Sequence, residues 1–475
     1  MSRLPASLLL CALAALPTSA QQPLAPHQKL AREVYRELIG INTADSVGSV
    51  TRAAEAMAKR FRDAGFPARD VQLLVPPGKP TKGNLVVRYR GRGGPNAGKP
   101  ILLLAHLDVV AALRSDWTID PFVLTEKDGY FYGRGTSDDK AMASIFVANL
   151  LQDRKNGWVP DRDVILALTA DEEGGDANGV DFLLDHHRNL VDAAYAVNEG
   201  GGGSLRDGKP FLNSIQAAEK VYADFTLTAR NRGGHSSVPR PDNAIYQLVD
   251  ALARVARYQF PVQLNEVSRT FFERTAALES GEVAAAMRAI IGNPSDSTAT
   301  AVLARDPRYS AMLRTTCVAT RLAGGHAYNA LPQTATANVN CRIVPTSNPR
   351  EARETLARVV ADSGIQISET IPLDDRGDAI PSPLTPEIMD PVTSITRELF
   401  GPGVPVIPVM STGATDGRRL RSAGIPTYGV SGLFGDPGDA RAHGRDERML
   451  VKSYFEGQEF LNRLVHRLAG GKPIT

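Results

Sequence analysis

Apolar positions recur along the chain in two rhythms. Leu30 to Ile39, Ala53 to Ala64 and Ala141 to Gln152 carry them at helical spacing, whereas Asn84 to Tyr89, Ile101 to Ala105, Val164 to Thr169 and Ala194 to Val197 are short, mostly apolar runs. A strand that alternates hides one face; a strand apolar throughout is hidden on both, as in a parallel sheet sandwiched by helices. The two kinds of segment alternate from about residue 29 to 215, which predicts an α/β unit. Near Glu219 the rhythm changes. Val221 to Ala229 alternates as a half-buried strand, a helix is expected from Asn243 to Val255, and 314–322, 334–344 and Ile365 to Ile371 read as strands around a helix from Pro349 to Asp362. Within this α+β unit, 262–313 reads as mostly helical, with Phe271, Phe272, Met287 and Ile290 at core spacing. After Pro381-Ser382-Pro383 the α/β rhythm returns, with a helix near Pro391 to Phe400, strands Pro405 to Val409 and Gly424 to Val430, and a last helix over 451–468. The expected architecture is one α/β domain, residues 21–218 and 374–475, interrupted by an α+β domain over 219–373.

The first residues follow another grammar. Arg3 precedes an apolar run from Leu8 to Leu16, and Thr18-Ser19-Ala20 supplies small residues before Gln21-Gln22. This predicts a signal peptide over 1–20, cleaved after Ala20, and a secreted or periplasmic mature chain. The run is about half the ~20 apolar residues of a membrane-spanning helix, and no later stretch reaches that length, so no membrane span is expected. Cys11 leaves with the segment. Cys317 and Cys341 are then either a disulfide, in an oxidising compartment, or two separate buried thiols.

Composition changes this picture only by exclusion. The 475 residues carry 54 basic and 52 acidic side chains, a formal net charge of +2, and 43% hydrophobic residues. A disordered chain would be less apolar and more highly charged. Near-neutrality argues against a nucleic-acid or anionic-membrane partner.

Candidate chemistry collects where ligands bind open α/β sheets, at the carboxyl ends of strands. Ile101 to Ala105 runs into His106-Leu107-Asp108, Val164 to Thr169 into Asp171-Glu172-Glu173-Gly174, and Ala194 to Val197 into Asn198-Glu199-Gly200-Gly201. A further acid pair, Asp138-Asp139, precedes the helix at Ala141. Singly, each has a plainer reading: an acid at a helix start is commonly a cap, and a strand-end histidine is commonly structural. Their coincidence suits a hydrolytic metal held by imidazole nitrogen and carboxylate oxygen, with no thiolate near these loops. Asp108 falls on the same side of an extended segment as His106 and is expected to hold the second imidazole N–H. Adjacent Glu172 and Glu173 diverge, so one can bind metal while the other moves protons in hydrolysis by a metal-activated water.

Together His106-Leu107-Asp108-Val109-Val110, Gly133-Arg134-Gly135 through Asp138-Asp139-Lys140, Asp171-Glu172-Glu173-Gly174, Asn198-Glu199-Gly200-Gly201 and Gly233-Gly234-His235-Ser236-Ser237-Val238-Pro239 resemble a family of dinuclear zinc peptidases. That family includes glutamate carboxypeptidase, aminoacylase, acetylornithine deacetylase and succinyl-diaminopimelate desuccinylase. The order of the motifs matches across nearly the whole mature chain. The Asn-Glu-Gly-Gly form, the helical insertion at 262–313 and Leu313-Arg314-Thr315-Thr316 look most like the carboxypeptidase S and N-acyl-amino-acid hydrolase branch.

The resemblance implies a three-layer α/β/α catalytic domain with an inserted lid and dimerisation domain, and two Zn2+ per subunit, for which Co2+ or Mn2+ could substitute. Asp138 would bridge the ions, His106 and Glu199 would complete one site, and Glu173 and His443 the other. Glu172 would be the general base, and the Asp138-Asp139 peptide would be cis. His443 lies in Ala442-His443-Gly444-Arg445-Asp446-Glu447-Arg448, close to the family's His-Gly-x-Asn-Glu but with Asp446 for Asn. His326, in a Gly-Gly-His turn, is the competing ligand and reads as a surface loop residue. His235 would stabilise the developing oxyanion in a partner subunit's site, so a homodimer through the lid is implied. Arg342 would clamp the substrate's free carboxylate, with Asn329 and the Gly413 backbone assisting. The implied activity is cleavage of the amide next to a free C-terminal carboxylate, in peptides or N-acyl amino acids. Two other readings fit less well: a barrel-type amidohydrolase would open with His-x-His where this chain has His-x-Asp, and a metal-free binding protein would have lost a ligand.

Overall fold

In the computed structural model, which describes residues 23–93, 97–370 and 380–473, the four apolar runs become neighbouring strands of one sheet. Their order is Asn84–Tyr89, Val164–Thr169, Ile101–His106, Tyr195–Asn198. The expected signal segment, 1–20, lies outside the described residues. Ile101–His106 runs parallel to both its neighbours, with His106 opposite Thr169 and Leu103 opposite Val197. Thr427–Gly429 adds parallel to Tyr195–Asn198, so the two ends of the chain build one sheet. Alternate strand residues feed opposite layers, as the pleat requires. Leu103, Ala105, Leu166 and Leu168 pack with helices Pro26–Gly40, Lys140–Lys155 and Val451–Ala469, while Leu102, Leu104, Ile165 and Ala167 meet Val180 and Leu183 of Gly179–His186. The result is a three-layer α/β/α domain.

One further strand of this sheet has no apolar run to announce it. Lys209–Glu219 pairs antiparallel with Thr427–Gly429 and parallel with Val406–Ser411. Its buried polar residues break the apolar pattern because each has a distant partner: Asn213 bonds Thr396 at 3.0 Å, and Glu219 pairs with Arg421. Helix Pro386–Phe400 begins earlier than Pro391, with Pro386 in its first turn and Pro391 inside it. Proline is preorganised for a helix start, so the upstream proline sets the boundary.

The chain crosses to a second sheet at Lys220. Its antiparallel order is Thr316–Gly324, Thr334–Ile343, Val221–Arg230, Ile365–Glu369. Leu248 and Ala251 of helix Ala244–Arg257 and Leu356 of helix Pro349–Val360 cover one face. Cys317 and Cys341 stand directly opposite on adjacent strands and form a disulfide, S–S 2.00 Å. The inserted helices Glu266–Thr275, Gly281–Gly292, Ser297–Leu303 and Pro307–Leu313 share a core of Phe272, Met287, Ile290, Leu303 and Leu313. The sequence pattern sets these helices within the α+β unit; their core is separate from that of the lid sheet. Val267 joins the catalytic core, Asn265 bonds Met410 Sδ at 3.4 Å, and Arg274 donates to the Val406 carbonyl at 2.7 Å. Helical periodicity marks an apolar face but not the sheet it meets, and here Val406–Ser411 offers an open edge.

Candidate metal centre

Asp138 is the meeting point of the site. Its Oδ1 lies 2.9 Å from His106 Nε2 and its Oδ2 lies 3.2 Å from His443 Nε2. Glu199 Oε1 is 3.8 Å from His106 Nε2, and Glu173 Oε2 is 2.9 Å from His443 Nε2. Each oxygen of one carboxylate therefore serves a separate half-site containing one imidazole and one further carboxylate. Ligand atoms of His106, Asp138 and Glu173 lie within 4.8 Å of one another, as do those of His106, Glu172 and Glu199. A set of imidazole and carboxylate donors around a shared carboxylate fits two divalent cations of the zinc, cobalt or manganese type. The Asp138-Asp139 peptide is cis.

The supporting contacts correct one expectation. His106 Nδ1 is 3.0 Å from the Asp108 carbonyl and 3.6 Å from its carboxylate. The carbonyl therefore sets the tautomer that leaves Nε2 for metal. The carboxylate is drawn instead to the backbone N–H groups of Glu172 (3.2 Å) and Glu173 (3.0 Å), and so fixes the turn carrying both acids. That turn enters through Asp171 in the left-handed region, φ 58°, with its buried carboxylate 2.5 Å from Lys82 Nζ.

Glu447 carries no metal-ligand signature in the sequence, yet it organises the loop around Asp138. It is 1% exposed and accepts from Arg134 Nη1 (2.7 Å), Ser137 Oγ (2.8 Å) and the backbone N–H groups of Gly135 (2.9 Å), Ser137 (2.6 Å) and Asp138 (3.2 Å). Its one signal is its place directly after Asp446 in the His443 segment. Asp446 itself has φ 51° and accepts from Thr118 N–H and Oγ1 at 2.9 and 3.0 Å. Aspartate tolerates the left-handed region almost as asparagine does. Asp416, likewise unmarked in the sequence, is buried, bonds Asn178 Nδ2 at 2.7 Å, and faces Glu172.

Crowding of acids sets the electrostatics. Burial pushes the Glu172 carboxyl up to about 8, against the pull of His106 and with repulsion from Asp416 and Glu173. Burial, then repulsion from Asp138, pushes Glu173 up to about 7. Hydrogen bonding to Asp138, opposed by burial, lifts His443 to about 9. Burial would raise Asp138 as well, but His106 and His443 hold it well below the ordinary carboxylate range. Concentrated negative charge of this kind is what bound divalent cations offset.

The remaining candidates lie on the lid and its border. His235 is exposed; its Nδ1 is 2.7 Å from Ser237 Oγ, and the Asn329 carbonyl takes the neighbouring Ser236 N–H at 2.9 Å. These two residues are thus brought together, with no contact to the His106 cluster. His326 is exposed in its turn. Arg342 is half-buried, its guanidinium 4.7 Å from the centroid of the Tyr222 ring. Gly413 donates its N–H to Ser411 Oγ at 3.0 Å, in the loop ending at Asp416.

Comparison with known proteins gives the family and the fold. The profile described as peptidase family M20/M25/M40 matches residues 102–467. The chain is 30% identical over 382 residues to the human N-fatty-acyl-amino acid synthase/hydrolase PM20D1, covering 77% of this chain and 74% of that protein. It is 28% identical over 403 residues to the probable carboxypeptidase S-like 2 of Dictyostelium discoideum, covering 80% and 74%. Its fold is similar to that of the M20 family metallo-carboxypeptidase Sso-CP2 from Sulfolobus solfataricus, with TM-score 0.67, 18% identity, and coverage of 92% and 99%.

Proposed function

This chain belongs to peptidase family M20/M25/M40, and on that premise we propose that it is a di-zinc hydrolase cleaving the amide bond next to a free carboxylate, in N-acyl amino acids or peptides. The observation that carries the reading is Asp138 shared between the His106 and His443 half-sites, with Glu172 beside them. His106, Asp138 and Glu199 would hold one ion, and His443, Asp138 and Glu173 the other; such ions supply an activated water and polarise the carbonyl. Glu172 takes a proton from the attacking water and returns it to the leaving nitrogen. Its place beside the His106 half-site suits that role. Asp108 keeps Glu172 and Glu173 pointed apart through the backbone it binds. Arg342, with the Gly413 backbone, would hold the substrate's carboxylate, a task for a planar donor, and Asn329, which lies beside the His235 segment, would assist.

One cavity favours an acyl over a peptidyl substrate. A space of about 410 Å³ opens beside Glu199 and Asp139, with Met142, Leu433, Phe434 and Met449 in its wall alongside the charged Asp436, Asp439, Arg441 and Arg448. The apolar part of that wall suits an acyl chain, in keeping with the N-fatty-acyl-amino acids named for the human relative.

The reading includes export and pairing. The Cys317–Cys341 disulfide favours an oxidising compartment, and among the described residues no helix is long and apolar enough to cross a membrane. The outer strand Thr316–Gly324 exposes Val318 and Leu322, and the helix Ala244–Arg257 exposes Tyr246 and Val249, a surface suited to a second copy. His235 would then serve the partner's site.

The test is a hydrolysis screen of the metal-loaded protein against N-acyl amino acids, dipeptides and their carboxamides, with and without chelator. Turnover confined to free carboxylates and lost on chelation is expected. Two bound ions with no hydrolysis across the panel would overturn the proposal.

A further inference from the structure

Lys220 stands where the catalytic strand Lys209–Glu219 hands over to the lid strand Val221–Arg230, and its side chain is completely buried. Nζ donates to the Arg314 carbonyl at 2.7 Å and to Thr316 Oγ1 at 3.3 Å. Its backbone N–H donates to the Ser411 carbonyl at 2.9 Å, which ties the Gly413 loop to the same spot. Thr316 and Tyr222 both lie opposite Arg342 in the lid sheet, on either side of it. Lys220, Thr316, Arg342 and the Gly413 loop therefore share the root of the lid.

This root holds positive charge without a matching anion. Among the described residues, no carboxylate pairs with Lys220, Arg314 or Arg342. The acids nearby are engaged: Glu219 pairs with Arg421 and accepts the Thr415 N–H, and Asp224 is taken by Tyr222 Oη, Asn338 and Asn340. Arg314 is 7% exposed, bonds Gln259 at 2.8 Å through Nη1, and has Nε and Nη2 unpartnered. Burying an uncompensated cation is costly, and Lys220 is wholly buried beside the half-buried Arg342.

We propose that Lys220 is a positioning residue for the substrate's carboxylate, supplying from beneath the lid strands a second positive charge behind Arg342 and holding Thr316 and the Arg314 segment in place. The idea rests on the carboxylate-clamp reading above. Lys220 does not touch the substrate; it raises the potential at Arg342 and couples the Gly413 loop to the lid. The charge is also conditional, because burial and then the Arg342 charge push the lysine down to about 7. The charged or titratable groups around it are Arg342, Tyr222 and Asp224 on the lid strands, Arg314, and the Glu219–Arg421 pair. Of these, Glu219 is paired with Arg421 and Asp224 is taken by Tyr222, Asn338 and Asn340, which leaves Lys220, without an acidic partner among the described residues, as the group whose charge falls as pH rises through neutrality.

The experiment compares an N-acyl amino acid with its carboxamide on the metal-loaded enzyme. Lys220→Met is expected to raise KM for the acid about tenfold with kcat little changed, and to leave the carboxamide unaffected. In the wild type, KM for the acid should rise as pH passes about 7, while KM for the carboxamide stays flat; this holds the test open should Lys220→Met misfold. An acid-to-amide KM ratio independent of pH, or unchanged in a folded Lys220→Met, overturns the proposal. Arg342→Met separates the two ideas: if it abolishes acid preference while Lys220→Met does not, only the role of Lys220 falls, and if neither changes it, the clamp falls too.

Discussion

Glu447 Oε1 accepts the backbone N–H of Asp138 at 3.2 Å, so the carboxylate shared by both half-sites is carried on a loop held by a residue four positions after His443. The other oxygen of Glu447 meets Arg134 at 2.7 Å, with both side chains almost wholly buried. One carboxylate thus ties the Arg134 to Asp138 loop to the His443 segment. Removing it leaves Arg134 an unpaired buried charge and frees several backbone donors. Glu447→Ala should cost about 3–5 kcal/mol of stability and weaken metal binding, as seen by thermal melts and elemental analysis. A variant that melts and binds metal like the wild type would show that the loop needs no such support.

Glu172 is assigned the proton rather than an ion, so its loss should leave metal binding in place. Glu172→Gln is expected to retain metal and lose about 10²–10⁴-fold in kcat. Turnover near wild type would remove it as the proton carrier.

Asp446 departs from the asparagine of the family pattern, yet its observed work is done by one oxygen, which accepts both donors of Thr118. An asparagine Oδ1 can do the same and tolerates φ 51°. Asp446→Asn should therefore leave kcat and KM within about twofold, whereas Asp446→Ala, which leaves the Thr118 donors without this acceptor, should lose about 1–3 kcal/mol. Steady-state kinetics and denaturant titration distinguish the two.

Metal uptake should release protons. Ligand imidazoles must be neutral and carboxylates ionised to bind, while hydrogen bonding lifts His443 and burial lifts Glu173 and Glu199. All three shifts favour the protonated form, so apparent affinity should rise with pH. Calorimetry in buffers of different ionisation enthalpy should report net release at pH 7. Chelation should abolish activity and lower the melting temperature, with recovery on adding zinc, cobalt or manganese.

The disulfide spans a sequence separation of 24 between adjacent lid strands. Loop-closure entropy for such a span predicts a loss of about 3 kcal/mol from the lid on reduction. Chemical denaturation with and without reductant, and of Cys317→Ser, measures it; equal midpoints would mean that the strand pairing needs no cross-link.

Much of the site is legible in the sequence because its parts are local. A strand apolar throughout announces a buried parallel strand, and the residues just past its carboxyl end face the cleft. His106, Glu199 and the acid pairs Glu172-Glu173 and Asp138-Asp139 are therefore marked as candidates by position, while which acid of each pair would hold metal comes only from the resemblance. His443 sits in a left-handed turn that no periodicity marks, and it is legible only through resemblance.

The linear pattern by itself determined which surfaces leave water: the layered sheet, the alternating lid strands and the strand ends that gather acids. Pairing was decided only by the tertiary structure. Lys209–Glu219 is too polar to read as a core strand because Asn213 and Glu219 meet Thr396 and Arg421 only once the chain has folded. The inserted helices dock on Val406–Ser411 rather than joining the lid core, Glu447 reaches the Asp138 loop, and Lys220 is left at the root of the lid with no carboxylate partner among the described residues. Hydrophobic periodicity records the free energy of burial, which depends on each residue's own surface. A buried polar group is stable only with its partner, and that partner can stand hundreds of positions away.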